Sequence, residues 1–284
     1  MKIDFDKIQV SAQPQVITAI LKLNKEDVDM SFKDLEKIIK SDQNIATLIL
    51  KVSNSPFYTR GNTITTLDHA IGILGFKLVH NICLMLSTKS IFAAGNYARF
   101  KRLVWEHSVI TGILARDLAK RLKKENLGEE CFVAGLLHDI GKAVLNVVDR
   151  KKFIEVIDIA TGEDLPFAEA EERVFETDHM KVGLQAATEW KLPEFFVPVI
   201  GYHERISAYK ETDQKEKEVF YMVSYANAMA NIIGFGHKIP AFENTANYLE
   251  EQLKIDEQTK RFYLEKYRDE IKKDDLYQSF MSIS

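Results

Sequence analysis

The segment Gly135-Leu-Leu-His-Asp-Ile-Gly-Lys142 puts an imidazole nitrogen and a hard carboxylate oxygen on adjacent residues, His138 and Asp139. That donor pair suits a divalent ion such as Fe, Mn, Zn or Ni. On its own it reads equally as a helix-end histidine beside a charge-compensating aspartate. Its company changes the balance. His107 lies on the preceding long apolar-periodic stretch, where an antiparallel return would bring it beside His138. His179 opens Asp-His-Met-Lys-Val-Gly, and His203 stands in Tyr-His-Glu-Arg. Each alone reads as a structural histidine. Four of the seven at successive helix positions in one half of the chain read together as a site. A metal held there would depress the pKa of a bound water and polarise a phosphoryl oxygen, the chemistry of metal-assisted phosphate ester hydrolysis. Lys142, three residues past Asp139, is a candidate contact for a phosphate, with a solvent-facing lysine as the plainer alternative.

The elements that must position these residues are helices. Apolar residues recur at three- and four-residue spacing, and alternating runs bounded by turn signals are scarce. Pro14 opens a helix with Val16, Ile17, Ile20 and Leu21, and Ser31 with Asp34 resembles a cap for the next. Asp42 caps a helix whose stripe is Ile45, Leu48, Ile49 and Val52. After a loop over 54–62, Thr65 or Thr66 starts a helix that stops at Gly75, and another runs over 77–90. One long helix is expected over 100–124, then an apolar one over 129–138 ending near Gly141. Amphipathic segments follow over 151–160, 166–176, 178–190 and 194–204. The charged run 210–218 reads as a solvated loop, followed by helices over 219–233, 245–254 and 257–272. The expected fold is all-α. A composition shift at 93–96 separates an N-terminal helical lobe, 1–95, from the histidine-bearing lobe, 96–240, with a C-terminal helical extension over 241–284.

Composition narrows the function classes. With 46% hydrophobic and 28% charged residues the chain can bury a sizeable core. A net charge of −4 argues against general nucleic-acid binding, because tracking phosphates needs a basic excess. Cys83 and Cys131 have no CxxC spacing, which excludes a disulfide framework and a thiolate zinc ribbon and fits a reducing compartment. The acidic start and the lack of a long uninterrupted apolar run predict a cytoplasmic protein without membrane insertion. Arg116, Lys120, Lys123 and Lys124 read as a solvated basic face. Trp105 and Trp190 read as core, and His69, His80 and His237 as structural.

Several ordered segments match a known family: Pro14-Gln-Val, Ile39-Lys-Ser-Asp42, Leu50-Lys-Val-Ser-Asn-Ser-Pro-Phe-Tyr58 and Ala70-Ile-Gly-Ile-Leu-Gly75. Trp105-Glu-His-Ser108, Ala134-Gly-Leu-Leu-His-Asp-Ile-Gly141, Asp178-His179 with Val182-Gly183, and Trp190-Lys-Leu-Pro193 continue the series. Over about residues 8–235 the chain resembles the HDOD family of bacterial signalling domains, relatives of the HD superfamily of metal-dependent phosphohydrolases. The resemblance implies a multi-helix bundle in which the N-terminal lobe packs on an HD-like lobe. It implies metal ligands at His107, His138, Asp139 and the position of Asn227, and, from the branch that hydrolyses cyclic dinucleotides, at Tyr202, His179 and His203. Two positions depart from the pattern. Asn227 stands where Asp is expected, and Tyr202-His203-Glu204 replaces a His-His-Glu run. The Gly-Tyr-Pro motif of that branch is absent, since Ile-Ser-Ala-Tyr follows Arg205.

An amide oxygen still coordinates but carries no charge, so affinity for a divalent cation falls and, with it, the capacity for hydrolysis. The expected centre holds one or two divalent ions, or none. The leading expectation is a signal-transduction module without turnover, acting on a protein partner in trans or a small ligand, a nucleotide among them. The alternatives are a metal-dependent phosphohydrolase acting on a nucleotide or cyclic dinucleotide, and a sensor that binds without reacting.

Overall fold

The computed structural model describes residues 35–37, 39, 43–54, 58, 64–76, 79, 83, 98–189, 192, 194–210, 213–274, 277, 278 and 281. The helix expected at Pro14, the caps at Ser31 and Asp42, most of the 77–90 helix, His80 and Trp190 lie outside them. No strand occurs among the described residues, as an all-α fold requires. They fall into two compact units, one within 98–271 and a second made of 35–83 with 272–281.

In the second unit, helix α1 (Gln43–Ser53) buries Ile45, Ile49 and Val52, three of the four residues in the stripe its periodicity predicts, the side chain of Leu48 lying outside the described ones. The Asn54 amide then holds the chain beyond the loop. It donates to the Leu50 and Ile64 carbonyls and accepts the Ile64 N–H, each at 2.8 Å. Helix α2 (Leu67–Phe76) buries Ala70, Ile71 and Leu74, and Gly75 takes a left-handed φ of 77° near its end.

The first unit carries every histidine of the candidate site. Helix α3 (His107–Arg121) does not continue a single helix from residue 100. A π-helical turn, Lys101–Glu106, precedes it. Such turns widen the helix by one residue and recur beside functional residues. Helix α4 (Gly128–Leu137) ends at His138, and helix α5 (Ile140–Val148) restarts after Asp139. The expected stop near Gly141 is therefore displaced. The break falls at the His-Asp pair itself, and Gly141 lies inside the next helix.

Helices α6 (Arg150–Glu163), α7 (Phe167–Phe175), α8 (His179–Glu189) and α9 (Val197–Tyr202) follow. Helix α10 (Gln214–Ile232) starts inside the stretch expected to be a solvated loop, because the Asp213 carboxylate accepts the N–H groups of Lys215 and Glu216. Helices α11 (Ala241–Leu253), α12 (Glu257–Glu265) and α13 (Tyr267–Ile271) belong to the same compact unit as the histidines.

Helix α3 packs against α4 and α10, and α8 against α5 and α9. Val109, Leu114 and Leu118 of α3, Phe132 and Leu136 of α4, and Phe220, Met222 and Tyr225 of α10 are buried between them. The stretch Glu125–Val148 is long and apolar enough to cross a membrane, yet 89% of its apolar window is buried inside the protein. It is core, and it carries His138 and Asp139.

Candidate metal centre

Five elements of one unit bring the candidate donors together. His107 comes from the start of α3, His138 and Asp139 from the α4–α5 break, and His179 from the first residue of α8. His203 caps the end of α9, and Asn227 lies in the middle of α10. All are buried, with none of these side chains more than 2% exposed. Two overlapping groups share Asp139: His107 with His138, and His179 with His203.

The Asp139 carboxylate lies at the middle. Its Oδ2 is 3.8 Å from His107 Nε2 and 3.4 Å from His138 Nε2. Its Oδ1 is 3.6 Å from His179 Nε2 and 3.5 Å from His203 Nε2. Those two Nε2 atoms are 3.3 Å apart.

Each ring is held from behind through Nδ1. His107 Nδ1 lies 2.6 Å from the Phe235 carbonyl, His138 Nδ1 2.6 Å from the Gly135 carbonyl, and His203 Nδ1 2.8 Å from the Val199 carbonyl. His179 Nδ1 lies 2.6 Å from Glu171 Oε2, which also accepts the His179 backbone N–H. A carbonyl or carboxylate can only accept, so each Nδ1 carries a proton, and a singly protonated ring turns its Nε2 lone pair to the centre. A carbonyl or carboxylate behind the ring is the usual support for a metal-bound imidazole.

The electrostatics follow from burial and neighbours. Burial pulls His107 down to about 4, helped by His138 and Lys142, so this ring is neutral near pH 7. Burial likewise lowers His203, whereas Glu171 outweighs burial at His179 and raises it. Asp139 stays ionised, far below the usual carboxylate range, because His138 and Lys142 outweigh its burial. Lys142 does not face solvent. It is 4% exposed, its Nζ donates to Asp139 Oδ2 at 2.8 Å, and it lies 4.7 Å above the Phe167 ring.

The residues present fit a divalent cation. His138 Nε2 and Asp139 Oδ1 are buried without a hydrogen-bond partner, an arrangement that costs free energy unless something else satisfies them. The mixed imidazole and oxygen donor set suits a borderline transition metal rather than Ca or Mg. Tyr202, an implied ligand position, is half-buried with its ring centroid 6.4 Å from that of Tyr209.

Three participants were not singled out in the sequence. Glu171 supports His179 from α7, and its only signal is a glutamate on the helix before the histidine. Glu204 Oε1 lies 4.0 Å from both His179 Nε2 and His203 Nε2. Asn231, one turn after Asn227, donates from Nδ2 to Asn227 Oδ1 at 3.0 Å. His237, read as structural, gives its backbone N–H to Asn231 Oδ1 at 2.8 Å.

A Treponema pallidum (strain Nichols) protein is 22% identical over 216 residues, covering 75% of this chain, and the chain spans 41% of that protein's length. The fold is shared with an HDOD domain protein from Geobacter sulfurreducens, at a TM-score of 0.75 and 24% identity over 95% of this chain and 92% of that one. It is also shared with a candidate signal transduction protein from Marinobacter aquaeolei VT8, at a TM-score of 0.74 and 18% identity over 100% of this chain and 61% of that one. The HDOD domain profile matches residues 10–206, well over half of the sequence, and the chain belongs to the HDOD domain family.

Proposed function

We propose that this chain is a cytoplasmic signal-transduction module whose histidine-bearing lobe holds one divalent metal ion as a fixed binding centre and does not turn over a phosphate ester. The observation that carries this reading is the closure of the centre. Donors His107, His138, Asp139, His179, His203 and Asn227 are each at most 2% exposed. Catalytic metal sites keep a coordination position open to water and substrate, whereas structural ones are closed.

Charge points the same way. Asp139 is the one carboxylate in the two donor groups, and Lys142 already neutralises it. The neutral Asn227 adds nothing to offset a second dication. Output then passes to a protein partner in trans, the fold being one also found in a candidate signal transduction protein.

A second reading, a metal-dependent phosphohydrolase acting on a nucleotide or cyclic dinucleotide, has one observation in its favour. The Lys142 ammonium lies beside the metal donors, where it would meet a phosphate. Bound metal would supply an activated water and polarise the phosphoryl group, while Lys142 would hold the phosphate and Glu171 would fix the His179 ring.

Elemental analysis of protein purified without chelator, followed by a screen of nucleotides and cyclic dinucleotides, separates the readings. Near-stoichiometric metal that is lost in His138→Ala, with no turnover, is the expected result. Metal-dependent release of product that disappears in Asp139→Ala would overturn the non-catalytic reading.

A further inference from the structure

Asn227 raises a question that a carboxylate would not. An aspartate presents oxygen whichever way it turns, but an amide can offer a cation its oxygen or repel it with its NH2. Which end faces the centre is decided here by a chain of hydrogen bonds with a fixed start.

The backbone N–H of His237 can only donate, so the Asn231 atom 2.8 Å away is its Oδ1. The other end of the Asn231 amide, Nδ2, must then face α10, where it donates to the Asn227 carbonyl at 2.9 Å and to Asn227 Oδ1 at 3.0 Å. Since Nδ2 can only donate, the Asn227 atom it meets is the oxygen. That oxygen is also the atom 2.9 Å from His107 Nε2.

His107 is constrained just as firmly. Its Nδ1 faces the Phe235 carbonyl at 2.6 Å and so holds the ring proton, leaving a lone pair on Nε2. Two acceptors, His107 Nε2 and Asn227 Oδ1, therefore confront each other at hydrogen-bond distance inside the protein. They repel unless an electrophile lies between or beside them, and ligands of one metal ion meet in this way.

The turn that starts the chain is built to fit. A Cβ on Gly236 would come within 2.2 Å of Asn231 Oδ1 and 2.9 Å of His107 Nδ1, so no larger residue fits there without moving both.

We propose that Asn231 is a positioning residue that locks the Asn227 amide oxygen-first, and so makes a neutral side chain a ligand for a divalent cation shared with His107. This rests on the reading of the centre as a metal site. It adds that the Asn at 227 is a working ligand held in orientation rather than a lost one.

The test measures Zn2+ affinity of the full chain by competition with a chromophoric chelator, in wild type, Asn231→Leu, Asn227→Asp and the double variant. Freed from Asn231, the Asn227 amide turns and gives its NH2 to the His107 lone pair, which closes the site. Asn231→Leu is therefore expected to weaken Zn2+ about tenfold or more, the usual scale for groups that orient a ligand. In the Asn227→Asp background the same change is expected to alter affinity less than about threefold, because a carboxylate has no wrong end.

An equal loss in both backgrounds, or none in the first, would overturn the proposal. Asn231→Ala, which likewise removes the Nδ2 donor, is read in the same way should the leucine variant not fold. Failure of wild type to bind Zn2+ would instead remove the metal reading itself.

Discussion

At the residue scale the site is a contest between burial and partnership, and His107 shows which prevails. Its ring is 2% exposed, and its pKa is drawn from 6.5 down to about 4. In metal-free protein the unfolded chain takes up a proton between those values that the folded chain refuses. Folding stability therefore falls as pH drops from 6.5 to 4, by roughly 3 kcal/mol for this one group. Asp139 works in the opposite range. Its depressed carboxyl contributes stability above its ordinary value of 3.8 and loses it only below that. Denaturant unfolding of chelator-treated protein should show the His107 slope over pH 4–6.5, flattened in His107→Gln. An unchanged slope in the variant would mean that other groups carry it. The clustered histidines were legible in the sequence through their company, four at successive helix positions in one half of the chain, since the His138-Asp139 pair alone reads equally as structural. Asn231 was not, because an asparagine on a helix has many uses. Its role appears only when the turn at Gly236 and His237 is folded against it.

At the element scale the helices were legible and their ends were not. Helix existence follows from apolar spacing, which the buried residues of α1 and α2 bear out. Ends were sought at glycine and proline. Gly75 does end α2 as expected, but other helices stop with left-handed Lys123, Asp164, Glu176 and Lys254, at φ between 53° and 58°. A non-glycine in that region carries no sequence signature strong enough to predict. The charged run at 210–218 misled for a related reason. It looks like solvated loop, yet Asp213 caps it and Lys215 reaches Glu130 at 3.1 Å, so half of it is the first turn of α10.

Gly141 shows what such an end costs when it is misplaced. Inside α5 it lies against α8, and an added Cβ would fall 1.9 Å from the His179 carbonyl oxygen and 2.8 Å from the Gly183 nitrogen. Backbone cannot yield as a side-chain tip does. Gly141→Ala should therefore destabilise the protein by about 3 kcal/mol, at the upper end of overpacking penalties. It should also lift His179 from the centre. Thermal unfolding alongside Zn2+ affinity checks both, and an alanine variant as stable as wild type would refute the close approach.

At the scale of the whole molecule, the donor set ties distant parts of one compact unit together and leaves the other untouched. His107, His138, His179, His203 and Asn227 come from elements spread through 98–271, while the described helices of the second unit supply no donor to either group. An ion bound only in the folded state stabilises it by about 2.7 kcal/mol when its concentration is a hundred times its Kd. For a unit of this size that amounts to a rise of roughly 5–10 °C in Tm. Because the bonds form within one unit, the gain should be local. Amide hydrogen exchange should slow on adding Zn2+ in α3, in α8 and around the α4–α5 break, while α1 and α2 exchange as before. His138→Ala should abolish the slowing. Equal protection of both units would mean that the metal also couples them, and the module would then have a route for passing occupancy of its centre to the N-terminal lobe. Protection confined to 98–271 would place the signal in that unit's own surface.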